Sequence, residues 1–172
     1  GATRAWAIDV GLKCATSMAA LKMAKNMMLA DDSINAVLVA GGYRNGDYIN
    51  YANPRTRFMY NLAAGGGAFL LRRNHPRNLI LETAIRVDGA FSEDVITGAG
   101  GTVRPLTPEL LAMGAHYLDV PDPEGMKERL DARSMRNFVG VIRDSLDKSG
   151  YTQKDIGYLA ILHMKRSAHD YV

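Results

Sequence analysis

The stretch W-A-I-D-V-G-L-K-C-A-T-S-M-A-A-L-K-M-A-K-N-M-M-L, Trp6 to Leu29, decides how the chain is read. Trp6 to Val10 is apolar and extended in character, which predicts a strand. Ala15 to Leu29 is rich in Ala, Leu, Met and Lys, all good helix formers, which predicts a helix. Lys13, Lys22 and Lys25 mark a narrow polar side, so this helix is expected to be mostly buried. Met18, Met23, Met27 and Met28 read as core filler rather than as a cofactor box. Cys14, the only cysteine, falls between strand and helix. A thiol at a helix N-terminus meets unpaired backbone N–H groups and the positive end of the macrodipole, and both favour the nucleophilic thiolate. A lone cysteine is equally at home in a core as a small hydrophobe. The residues of this stretch leave both readings open.

Outward from there, Asp31, Asp32 and Ser33 end the helix. Ala36 to Ala40 is continuously apolar, the mark of a central strand covered on both faces, and Gly41-Gly42 close it. Tyr43 to Phe58 is a polar loop carrying Arg44, Asn45, Asp47, Asn50, Asn53 and Pro54. Such a loop on an α/β scaffold either lines a site or is a solvated excursion. Gly65-Gly66-Gly67 lead into the strand-like run Ala68 to Leu71. A phosphate-cradling loop follows a strand and opens a helix, so these glycines argue for close backbone packing instead. Asn74 to Arg77 is a turn-like break.

Leu79 to Val87 alternates as a strand does. Asp88 to Pro108 is loop, with Gly98 to Gly101 inside it. Thr107-Pro108-Glu109 signals a helix start. His116 is isolated and reads as a surface or core histidine. Pro123 to Lys148 predicts a long helix with Leu130, Phe138, Val141, Ile142 and Leu146 at helical spacing and Gly150 as its cap. Thr152 to Asp155 opens a short turn. Tyr158 to Leu162 reads as a second apolar strand that delivers His163 at its end, and Met164 to Val172 begins a further polar or helical segment. Strands alternating with helices predict an α/β fold with buried, largely parallel strands.

The totals set outer limits. A chain of 172 residues can bury a sizeable core, and a net charge of +3 with 47% hydrophobic residues is too evenly balanced to argue for nucleic acid. One cysteine excludes an internal disulfide and suits a reducing cytoplasm. No apolar run approaches the roughly 20 residues of a membrane span, and no basic-then-apolar leader is present. No CxxC, HExxH, carboxylate-rich loop or spaced histidine cluster supports a metal site. Strand-like and helical segments run to both ends without polar tails, which leads us to expect one piece of a longer chain.

Two positions then stand together: Cys14 ahead of a helix and His163 just past a strand, a pairing suited to covalent acyl transfer. Around them the sequence resembles the thiolase superfamily, most closely its ketoacyl-acyl carrier protein synthase III branch. I-D-V-G-L-K-C-A-T-S-M-A-A-L resembles that family's nucleophile strand and helix. Ala36 to Gly42, A-V-L-V-A-G-G, is similar to the strand that follows. Asn61 to Leu71, N-L-A-A-G-G-G-A-F-L-L, resembles its glycine-rich turn and strand, and Gly98 to Pro105 a loop of the same region. D-I-G-Y-L-A-I-L-H, Asp155 to His163, resembles the strand presenting the catalytic histidine. Two departures stand out. Ala63 occupies a place usually held by Asp, and Met164-Lys165-Arg166-Ser167 replaces the Gln-Ala-Asn that usually follows the histidine in the fatty-acid branch. They point to a different acyl donor, or to CoA thioesters throughout.

The resemblance implies a layered α-β-α-β-α fold only partly covered by this chain. Residues 1–75 would end the first thiolase-like half and residues 76–172 would start the second. It implies a decarboxylative Claisen condensation in fatty acid or related biosynthesis, with Cys14 as acyl acceptor and His163 stabilising the enolate. A third catalytic residue, an Asn, would lie beyond Val172. No cofactor or metal is implied; the substrates are CoA or acyl carrier protein thioesters. The partner expected is a second copy, in a homodimer, with no nucleic acid and no membrane. Arg72, Arg73, Arg77, Lys165 and Arg166 would meet CoA phosphates or an acidic carrier, or else form a solvated face. A 3-hydroxy-3-methylglutaryl-CoA synthase-like condensation, which wants a further carboxylate, and a non-catalytic thiolase-fold subunit are the alternatives. A nucleotide-binding domain has its glycines in the wrong order, and thiolytic cleavage normally uses a second cysteine.

Overall fold

The computed structural model describes residues 3–163 and 165–172. The chain divides into two compact units: the chain up to Gly42 with Gly66–Leu81, and Tyr43–Gly65 with Glu82–Val172.

In the first unit, a 3-10 turn at Lys13–Ala15 leads into α1 (Thr16–Ala30). Helix formers carry it, and Ala19, Ala24 and Met28 are buried. Burying a Met side chain contributes about 1.5–3 kcal/mol. At its end the Asp31 N–H donates to the Met27 carbonyl at 3.0 Å, and Asp31 Oδ1 accepts from the Ser33 N–H and hydroxyl at 2.8 and 2.6 Å. Arg73 closes the terminus: its guanidinium donates to the carbonyls of Met28, of Asp31 (2.8 Å) and of Ile34 (3.1 Å), and to Asp32 Oδ1 at 3.2 Å. The Met28 and Asp31 carbonyls are among those a helix C-terminus leaves without partners, and Ile34 lies in the segment that follows.

The expectation of a mostly buried helix is corrected. Met18, Met23 and Leu29 are exposed, because one helix and parts of two strands are too little chain to enclose a helix on every side.

β1 (Ala36–Arg44) and β2 (Ala64–Arg72) form a two-stranded sheet, and the boundary between units falls inside both strands. The Arg73 N–H donates to the Asn35 carbonyl at 3.0 Å. At the other end, a side chain on Gly66 would stand 3.3 Å from the Gly41 carbonyl. Those contacts make the strands antiparallel. Of the three glycines only Gly66 serves close backbone approach; a side chain on Gly65 would meet the Tyr43 ring at 3.8 Å, and Gly67 has open space around it. Two expectations change here. Gly41-Gly42 do not end β1, which runs on to Arg44. Nor is β1 covered on both faces, since only Val37 and Val39 are half-buried.

The second unit begins with the polar loop. It contains 3-10 turns at Asn45–Tyr48 and Pro54–Met59, and Ile49 makes a parallel bridge to Leu118. Buried Thr56 donates to the Asn53 carbonyl at 3.0 Å, and Tyr60 Oη donates to the Tyr51 and Asn53 carbonyls at 2.8 Å each. β3 (Ile96–Thr97) pairs antiparallel with β4 (Leu118–Asp119). Between them, α2 (Pro108–Ala112) starts at Thr107, whose hydroxyl accepts from the Leu110 N–H at 3.2 Å, as the Thr-Pro-Glu signal predicts. Ile49, Met59, Ala99, Val120 and Ala168 form the buried apolar set of this unit.

α3 (Pro123–Ser149) begins at Asp122, whose carboxylate accepts from the Gly125 N–H at 3.0 Å, and ends at Gly150 in the left-handed region with φ 74°. Residues 82–94 lie against one stripe of α3. Glu82 meets Ser145 and Ser149, Arg86 pairs with Asp144 at 2.6 Å, Asp88 meets Arg133 and Asn137, and Asp94 meets Arg129. The positions 129, 133, 137, 145 and 149 share a four-residue spacing, so they follow one ridge that winds slowly around the helix. A 3-10 turn at Gln153–Asp155 and the short α4 (Arg166–Tyr171) complete the unit.

Trp6–Val10, Leu79–Val87 and Tyr158–Leu162 are not strands in this structure, and much of their apolar surface is exposed. A strand exists only through ladder bonds to a neighbour, and none of the three has one among the described residues. The expectation of largely parallel strands changes with them, because both sheets that form are antiparallel. Gly1, Ala2 and Met164 lie outside the described residues.

Candidate active site

Cys14 lies in the 3-10 turn that opens α1, and its side chain is an exposed free thiol. The small-buried-hydrophobe reading is thereby set aside. The turn is built from three local features. Lys13 takes φ 48°, in the left-handed region that a lysine rarely adopts. Thr16 Oγ1 accepts from the Leu12 N–H at 2.7 Å and donates to the Lys13 carbonyl at 2.7 Å. The Ala15 N–H donates to the Leu12 carbonyl at 3.0 Å. A sharp, strained turn therefore presents the thiol at the amino end of a 15-residue helix.

His163 belongs to the second unit. Its side chain is exposed, and its ring centroid lies 5.8 Å from that of His169 at an interplanar angle of 48°. His169 sits half-buried on α4 beside buried Ala168, and its N–H donates to the Lys165 carbonyl at 3.3 Å. Arg166 Nε donates to Asp170 Oδ1 at 2.7 Å, across one turn of α4. Cys14 and His163 thus stand in different units.

The second unit also contains a cavity of about 580 Å³, lined in part by Asn53, Arg55, Arg104, Met113, Tyr117 and Asp119. Its polar wall is organised around Asp119. Arg55 grips this carboxylate in bidentate fashion at 3.0 and 2.5 Å, Asn53 Nδ2 donates to it at 2.7 Å, and the Val120 N–H donates at 2.8 Å. Burial pushes the Asp119 carboxyl upward, but the donors from Arg55, Asn53 and Val120 outweigh it and hold the group below its ordinary value. The polar loop lines part of this cavity. The Arg55–Asp119 grip itself escapes sequence reasoning, because its members lie 64 residues apart.

The basic residues offered for anion docking are partly committed elsewhere. Arg73 spends its donors on the end of α1, and Arg166 is paired with Asp170. His116 is half-buried with its ring 4.0 Å from that of Tyr117, and its Nδ1 has no hydrogen-bond partner among the described residues.

A family model described as 3-Oxoacyl-[acyl-carrier-protein (ACP)] synthase III matches residues 8–89, a span that includes the Cys14 turn. The chain resembles a segment of that family. A Beta-ketoacyl-[acyl-carrier-protein] synthase III of Chlorobium phaeobacteroides is 25% identical over 160 residues, which is 92% of this chain and 46% of the relative. The enzyme of the same description from Roseiflexus castenholzii is 28% identical, covering 95% and 47%. A 3-oxopimeloyl-[acyl-carrier-protein] synthase of Rhodothermus marinus is 30% identical over 75% of this chain and 36% of its own length. A crystal structure of a 3-oxoacyl-(acyl-carrier-protein) synthase III superposes with a TM-score of 0.65 at 22% identity, covering 90% of this chain and 47% of that one. The fold is therefore thiolase-like, as the sequence resemblance implies. The chain spans about half the length of the curated relatives it matches. No helix among the described residues is long and apolar enough to cross a membrane.

Proposed function

We propose that this chain carries the nucleophile and the histidine of a 3-oxoacyl-acyl carrier protein synthase III-type condensing enzyme. The observation that carries the reading is Cys14: an exposed thiol on a strained turn at the head of α1, inside the region the family model matches. In this mechanism the Cys14 thiolate attacks the carbonyl carbon of an acyl thioester, the C–S bond to the carrier breaks, and the departing carrier thiolate takes up the proton that Cys14 released on ionising. The acyl group then rests on Cys14 as a thioester. A malonyl thioester loses carbon dioxide, and His163 donates a hydrogen bond to the enolate oxygen that forms. The enolate carbon attacks the acyl carbonyl, and the collapse of that intermediate returns the thiolate.

Backbone N–H groups at the Cys14 turn would face the developing oxyanion. No metal or redox cofactor is needed for these steps. The substrates are CoA or acyl carrier protein thioesters, and the names of the relatives favour the carrier protein. The relative named for 3-oxopimeloyl synthesis supports an acyl donor other than a simple short chain. A homodimer in the cytoplasm, with the seam between thiolase-like halves near residues 75 and 76, completes the proposal. Exposed Leu38, Phe69 and Leu70 support the covering of the β1–β2 sheet by further polypeptide.

The test is intact mass before and after incubation with a panel of acyl-CoA thioesters, with Cys14→Ala as control. An acyl-sized gain that vanishes in the variant is the expected result. A complete enzyme that gains no mass from any donor would sink the condensing reading and favour a non-catalytic subunit.

A further inference from the structure

We infer that His169 is a positioning residue for His163, setting the orientation of the ring that the proposed condensation uses; the inference rests on that proposal. Three observations carry it. The first is the setting of His163, which ends a stretch without ladder bonds and has an exposed side chain, so among the described residues neither sheet nor core restricts its rotamer. The second is the setting of His169. It stands on α4, is half-buried next to Ala168 in a turn clipped by Arg166–Asp170, and its own place is fixed by the helix. The third is the contact itself. Ring centroids 5.8 Å apart at 48° lie within the range of tilted aromatic packing. An otherwise loose ring therefore rests against a held one.

A catalytic donor has to be aimed at its oxygen before the reaction, and a misplacement of about 1 Å can cost 10²-fold in rate. The sequence around this contact is also where the chain departs from the Gln-Ala-Asn pattern after the histidine. A ring supplied six residues further on is this chain's own means of holding His163.

The experiment uses the enzyme as isolated, together with any polypeptide that accompanies this chain, and compares His169→Ala, His169→Phe, His169→Gln and His163→Ala. Two readouts are taken: the rate of malonyl-thioester decarboxylation, and proton cross-relaxation between the rings at positions 163 and 169. The parent is expected to show the ring-to-ring signal. His169→Ala should slow decarboxylation by between about tenfold and a hundredfold. His169→Phe, which keeps a ring, should restore most of that loss, and His169→Gln, which keeps only a polar group, should not.

A missing ring-to-ring signal in the parent overturns the inference. So does a parental rate in His169→Ala, or a rescue by Gln equal to that by Phe. If His169→Ala does not fold, the Phe and Gln variants decide alone. An undiminished rate in His163→Ala would instead remove the condensation role of His163, while the ring signal would still report whether position 169 holds it.

Discussion

Lys13 carries the strain of the nucleophile turn. An L-residue in the left-handed region costs roughly 1–2 kcal/mol, and at φ 48° a lysine bears that cost without help from a short polar side chain. Asn74 and Asn78 adopt φ 54° and 57°, but asparagine tolerates this region and fits its turn. Lys13→Gly is therefore expected to stabilise the chain by about 1 kcal/mol, less the extra entropy that glycine gains when unfolded. Urea unfolding midpoints of parent and variant check it. An unchanged or lowered midpoint would mean that the Thr16 hydrogen bonds already offset the strain. At this scale the sequence singles out residue types that are scarce and chemically distinct, Cys14 and His163. It was illegible where the function of a side chain depends on a distant partner. Nothing local marks Asp94 for Arg129, 35 residues on, or Arg73 for the end of α1.

The elements show the same division between local and distant causes. α1 and α3 were readable to within a residue or two because propensity, caps and periodicity are written in adjacent positions. The three lost strands were not, because a strand needs a partner that the apolar pattern cannot name. α3 is the clearest case of a locally written element. The Gly150 N–H donates to the Asp147 carbonyl at 3.2 Å and the Tyr151 N–H to the Leu146 carbonyl at 3.1 Å, a Schellman termination that needs the left-handed conformation of Gly150. Gly150→Ala places a Cβ on that backbone and should cost about 1 kcal/mol of stability. The loss should appear as a lower urea midpoint, with faster amide exchange in the last turn of α3. A midpoint equal to the parent's would show that this helix end is frayed and that the motif contributes nothing to stability.

At the scale of the molecule, the two units differ in how much of their stability depends on ionised carboxylates. In the first, Asp31 is held below its ordinary value by hydrogen bonds from the Ser33 hydroxyl and N–H. In the second, five groups are lowered. The Ala90 N–H, with Asn137 and Arg133, acts on Asp88, and the residue's own N–H, then the Thr107 side chain, act on Glu109. Lys127 acts on Asp131 and Thr152 on Asp155, while at Asp119 the donors from Arg55, Asn53 and Val120 prevail over burial. A carboxyl whose folded value lies below its unfolded value of about 4 stabilises the fold fully above that value. The contribution is lost as pH falls through the folded value.

Lys127 and Arg129 are raised by their partners Asp131 and Asp94, so their share persists until pH rises above the usual lysine and arginine ranges. Between neutrality and pH 3, stability should therefore fall in both units and fall further in the second. Several of its lowered carboxylates also hold structure together: Asp88 ties residues 82–94 to α3, and Asp119 ties the polar loop to β4. Amide exchange at pH 7, 5 and 3.5, corrected for the intrinsic pH dependence of exchange, measures this unit by unit. The expected result is that protection around Ala90 and Val120 is lost at a higher pH than protection in α1. Loss in the reverse order would show that the exposed apolar surface of the first unit, and not the carboxylates of the second, limits stability in acid.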